Sequence, residues 1–84
     1  MRIQFSKHAE FQMQQRDIPK EVVRNVIRKP EKTTHRKDQT LIAQKQVQWH
    51  NKNVLCRVIY KREGKAIVKV ITTYITTKID KYNL

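Results

Sequence analysis

Cysteine occurs once in the 84 residues, at position 56, so no intrachain disulfide can form. Burial must hold the fold, and such cysteine usage fits a reducing compartment. Cys56 lies in an apolar, strand-like run and reads as a small buried hydrophobe rather than a nucleophile. Acidic residues are scarce: seven Asp and Glu stand against nineteen Lys and Arg. Glycine is also present once, as Gly64, and proline twice. No stretch approaches the roughly 20 apolar residues of a membrane span. The opening Met1-Arg2-Ile3-Gln4-Phe5 lacks the apolar run of a signal peptide. These absences point to a cytoplasmic protein with no membrane segment.

What remains is a chain of one domain's length, residues 1–84, with 31% charged and 38% apolar residues. At this size only about 60–65% of the unfolded surface can be buried. The formal net charge of +12 is spread from Arg2 to Lys81, not gathered in a basic tail. Such a field favours polyanionic partners such as RNA or DNA, an anionic membrane or an acidic protein.

Phe5, Ala9 and Met13 recur every fourth residue, and Ser6 is a suitable N-cap, which predicts a helix over about 6–16. Asp17-Ile18-Pro19 breaks it, because the residue before proline avoids the helical region. Val22, Val23, Val26 and Ile27 form the apolar face of a second helix over about 19–29, ended by Pro30. Residues 31–39 read as a polar loop that includes at most a short strand at Thr33-Thr34. The period then changes to two, which predicts strands over about 40–49, 54–61 and 66–75. His50–Asn53 and Arg62–Lys65 are the hairpin loops, with Gly64 where a turn needs a positive φ. The fold class is α+β, with two N-terminal helices packed on a three- to four-stranded antiparallel sheet. Strict alternation places Val54, Cys56, Val58, Tyr60, Val68, Val70 and Tyr74 on the core face. It places Leu55, Arg57, Ile59, Lys69 and Thr73 on the other.

His8-Ala9, Met13, Arg16-Asp17-Ile18, the valine-rich stretch from Val22 to Pro30, and Val70-Ile71-Thr72-Thr73-Tyr74 together form a pattern over about residues 5–75. In this the chain resembles a small family of domains of unknown function that is grouped by resemblance with the RelE/ParE-type toxins. The resemblance implies a RelE/ParE-like fold, and either mRNA cleavage or another toxin activity. One position departs from the pattern: the family usually has an arginine four residues after the histidine, and this chain has Gln12.

Metal-free RNA cleavage needs a base for the 2′-hydroxyl, a cation on the phosphorane oxygens and an acid for the leaving 5′-oxygen. His8 titrates in the right range for either proton-transfer role. A helix's first turn disfavours its imidazolium and so favours a neutral base. The alternative is a histidine that bonds a backbone carbonyl at the core edge. Arg57 interrupts an apolar strand face, and its planar fork suits a phosphate. Tyr74 offers a phenol for proton donation or stacking, or packs with its hydroxyl at the rim. Lys61, Arg62, Lys65 and Lys69 gather about the second hairpin and suit phosphate steering. Arg16, Thr73 and Trp49 complete the candidate RNA-binding set, Trp49 and the adjacent His50 as base stackers. A structural bridge for Arg16 and simple packing for Trp49 are the alternatives. His8, His35 and His50 show no ligand spacing with Cys56 or the acids, so neither a zinc site nor a cofactor is expected.

The reading that follows is a RelE-like toxin of a toxin–antitoxin pair, an endoribonuclease that cleaves mRNA, ribosome-bound or free. Its catalytic residues are His8, Arg57 and Tyr74, and an acidic antitoxin is its protein partner. Two alternatives remain: a non-enzymatic basic nucleic-acid-binding module, and a ParE-like toxin that inhibits a protein target such as gyrase.

Overall fold

The chain runs β1 (Arg2–Phe5), α1 (Lys7–Gln15), α2 (Lys20–Arg28), β2 (Lys32–His35), β3 (Leu41–Trp49), β4 (Lys52–Glu63) and β5 (Ile67–Thr76), then a short 3₁₀ turn, Ile79–Tyr82. The computed structural model describes residues 1–82. The α+β class and the two helices are as the periodicity predicts. The sheet has five strands in the order β1-β5-β4-β3-β2. It is mixed, because β1 runs parallel to β5 while the other pairs are antiparallel. The expected three or four antiparallel strands are therefore corrected. The short strand allowed at Thr33-Thr34 is β2 (Lys-Thr-Thr-His), exposed throughout and without apolar alternation, whereas β1 alternates, with Ile3 and Phe5 toward the core, over only four residues.

Ser6 caps α1: its Oγ accepts from the Ala9 N–H at 3.0 Å. The same Oγ donates to the Ile71 carbonyl of β5 at 2.9 Å, so one side chain satisfies the helix end and ties it to the sheet. Phe5 is not part of the helical stripe. It ends β1, paired with Val70. After α1 the chain turns through Asp17 at φ +55°, which drops Ile18 into the core. Pro19 sits at the N-cap position of α2, just outside its first turn. α2 buries Val23, Val26 and Ile27. With Ala9 and Met13 of α1, these pack on Ala43, Cys56, Val58, Tyr60, Val68 and Val70 of the sheet. Each fully buried aliphatic side chain contributes about 1.5–3 kcal/mol before entropy is counted. Among the described residues, no helix is long and apolar enough to cross a membrane.

The hairpin joining β3 to β4 has a two-residue loop, tighter than expected, with His50 and Asn51 both at positive φ (+47° and +63°). Gly64, at φ +71°, opens the loop between β4 and β5. The main departure from simple alternation lies within β5. The β4–β5 register slips between Ile59 and Tyr60, which pair with Thr72 and Val70 and leave Ile71 unopposed. A bulge of this kind exchanges the two faces for every later residue. Thr73 therefore lies opposite Val58 on the core face and is fully buried, while Tyr74 lies opposite Arg57 on the outer face, away from the helices. Both face assignments made from strict alternation are thus reversed. The Val70 and Ile71 carbonyls at the bulge accept from Ser6 N and Ser6 Oγ.

Candidate functional site

Cross-strand register sets Gln44 of β3, Arg57 of β4 and Tyr74 of β5 in one row on the outer face. Arg57 is held on several sides. Its Nε donates to Gln44 Oε1 at 3.0 Å, and an Nη donates to the Tyr74 hydroxyl. The 3₁₀ turn folds back over this row, so that the Tyr82 ring lies on the guanidinium, 3.9 Å from Cζ to the ring centroid. Gln44, only 2% exposed, donates from Nε2 to the Tyr82 carbonyl at 3.0 Å. Every polar atom of its amide is thereby used. The Tyr74 and Tyr82 phenols both lie against the Arg57 guanidinium and act on each other's ionisation.

This proximity pushes the two phenols apart in ionisation. Burial, then the neighbouring Tyr82 phenol, holds Tyr74 above the usual tyrosine range, against the opposing pull of Arg57. The neighbouring Tyr74 phenol, reinforced by the Lys81 and Arg57 charges, draws Tyr82 below it. Arg57 itself has no carboxylate partner: among the described residues, Arg24–Glu21 and Arg36–Asp38 are the ion pairs made by lysine or arginine. Among the described residues this half-buried guanidinium meets only neutral side chains, and its planar fork suits an anion.

Other cations extend this face. Lys61 lies directly opposite Lys69, with Gln4 of β1 next in the row. Like charges placed opposite each other across a ladder destabilise it unless an anion lies between them. Arg2 and Lys32 share the face, and Glu63 is its one acid on the strands. Arg62, opposite Val68, points to the other side, and Lys65 lies in the exposed β4–β5 loop.

The remaining sequence-predicted residues sit elsewhere. His8 is exposed in the first turn of α1 and makes no hydrogen bond or ion pair with Arg57 or Tyr74. Thr73 is corrected from an RNA contact to an internal one. Its hydroxyl donates to the Arg57 carbonyl at 2.9 Å and lies 3.8 Å from Cys56 Sγ. Burial pushes the Cys56 thiol up to about 11, so it stays protonated. Trp49 stacks on His50, with centroids 4.1 Å apart and planes 11° from parallel, and its indole donates to the Asp17 carbonyl. Arg16, the C-cap of α1, is exposed beside this pair. Among the described residues, no three His, Cys, Asp or Glu side chains gather to hold a metal ion. Sequence reasoning missed Gln44 and Tyr82. Gln44 looked like one of several polar residues on an outward strand face, and the nine residues from Thr76 to Leu84 carry no period from which Tyr82 could be placed.

Fold and site together define a small α+β domain whose helices cover one sheet face and whose cations line the other. The chain belongs to the family described as domain of unknown function DUF4258, which matches residues 5–75. No curated protein and no solved structure matches it.

Proposed function

We propose that this domain binds RNA on its outer sheet face and cleaves it by attack of a 2′-hydroxyl on the adjacent phosphorus, as a RelE-like toxin would. The observation that carries the reading is Arg57: a guanidinium fixed by Gln44 and Tyr74, with no acid among the described residues to neutralise it. In this scheme Arg57 holds the non-bridging oxygens as charge develops on the phosphorane. The Tyr74–Tyr82 pair handles protons. Two neighbouring phenols whose ionisation is driven in opposite directions suit a division into acceptor and donor. The 2′-oxygen bonds to phosphorus, the 5′-oxygen leaves with a proton, and a 2′,3′-cyclic phosphate remains. Lys61 and Lys69 would steer the strand, and an acidic antitoxin would neutralise the same face.

The test is to map mRNA 5′ ends in cells after brief expression of wild type, Arg57→Ala, Tyr74→Phe and His8→Ala. New ends in the wild type that vanish in a folded Arg57→Ala protein are the expected result. Full cleavage by that variant overturns the assignment. Loss of ends in His8→Ala would mean that the imidazole reaches the site only in the RNA complex. A second reading, a binding module without cleavage, is favoured by Gln12 and by the Tyr82 ring lying on the Arg57 guanidinium. It expects salt-sensitive RNA affinity and no new ends in any strain.

A further inference from the structure

A second cleft lies on the helix side of the sheet, where the end of α1 meets the β3–β4 hairpin. Its volume is about 450 Å³, and Arg16, Trp49, His50, Lys52, Val54 and Ile75 are among its lining residues. Asp17 holds the aromatic pair by its edges. Its carbonyl accepts from Trp49 Nε1 at 3.3 Å, and its carboxylate meets His50 Nε2 at 3.1 Å. The positive φ values of His50 and Asn51 fix the turn that carries the imidazole. The His50 side chain remains 56% exposed, so the stack is held at its edges while the imidazole stays open to solvent. Val54 and Ile75 give the cleft an apolar floor. Arg16 and Lys52 stand at its rim with no carboxylate partner among the described residues, and the Asp17 carboxylate, which also lines the cleft, is hydrogen-bonded to His50 Nε2.

We propose that this cleft is a nucleotide subsite, in which a nucleobase extends the Trp49–His50 stack and its 5′-phosphate is held by Arg16 and Lys52. A prebuilt stack accepts any base face, because stacking needs no particular hydrogen-bond pattern. Neighbouring cations supply the phosphate contacts that fix the nucleotide's register. The proposal rests on the reading of the chain as an RNA-binding protein, but it requires no cleavage at Arg57. The same chemistry recognises either a free nucleoside monophosphate or one unit of a single strand.

Trp49 is the only tryptophan in the chain, so its fluorescence reports on this cleft directly. The experiment titrates the intact protein with AMP, with a short single-stranded oligoadenylate and with inorganic phosphate. Saturable quenching by AMP is expected, with little response to phosphate alone. AMP contains no phosphodiester to cleave, so failure here is distinct from failure of the cleavage assay. Much tighter binding of the oligonucleotide would identify an RNA strand as the source, and equal affinity a free nucleotide. With unchanged melting curves, His50→Ala should weaken AMP binding by about tenfold, the scale of one lost base stack, and Lys52→Ala should weaken it through the lost phosphate contact. No saturable change with either nucleotide, or an equal response to inorganic phosphate, overturns the proposal.

Discussion

Cys56 illustrates how position decides chemistry at the scale of one residue. Its thiol is fully buried between strands, with only the Thr73 hydroxyl for company. Burial raises its ionisation to about 11 in the folded protein, from 9.0 for the free group. Between these values the unfolded chain loses a proton that the folded chain keeps. The contribution to stability is therefore complete below about pH 9 and is lost as pH rises toward 11, amounting to on the order of 3 kcal/mol. Denaturant melts at pH 8 and pH 10.5 should show a larger alkaline loss for wild type than for Cys56→Ala. Equal losses would place the thiol in contact with water. Arg57 was legible as a residue that needs a partner because it interrupts an apolar run. Tyr74 was legible as a phenol worth attention but was assigned to the wrong face. No local signal announces an unopposed Ile71, and one such residue reverses every later assignment.

Among the elements, those with a strong period were readable and those without one were not. α1 and α2 carry apolar stripes and capping residues, β3 and β4 alternate over nine or more residues, and β5 alternates on either side of its bulge. β1 and β2 are four residues each and owe their existence to the neighbours that pair with them. Ser6 is where local and tertiary demands meet, since its hydroxyl caps α1 and also bonds the Ile71 carbonyl. Ser6→Ala should therefore cost more than a surface cap, about 2 kcal/mol where an isolated cap is worth about 1. Thermal or denaturant unfolding measures this. A loss of only a few tenths would show that the bond to β5 contributes little.

At the scale of the molecule, charge dominates. A net +12 on so small a domain repels itself, and among the described residues almost none of it is paired with carboxylates. Arg2, Lys32, Arg57, Lys61 and Lys69 share the outer sheet face. If a single strand neutralises its phosphates there, affinity should fall with salt at a log–log slope of about −3 to −4, near −0.7 per phosphate contact. Filter binding or anisotropy across a salt series gives the slope. A value near zero would mean that the cationic face takes no part. Charge was fully legible in the sequence. Its concentration on one face depends on which residues the register sets side by side, and composition cannot show that.

The parallel pairing of β1 with β5 also sets a timetable. Synthesis runs toward the C-terminus, so Arg2–Phe5 are made well before Ile67–Val70 and wait for them before they can join the sheet. Pairing between strands so far apart in sequence is slow, because loop closure comes before any gain from contact. The row of Gln44, Arg57, Tyr74 and Tyr82 matures on the same schedule, since its last member follows β5. A chain interrupted before Ile79–Tyr82 thus leaves the Arg57 guanidinium without the aromatic ring that lies on it.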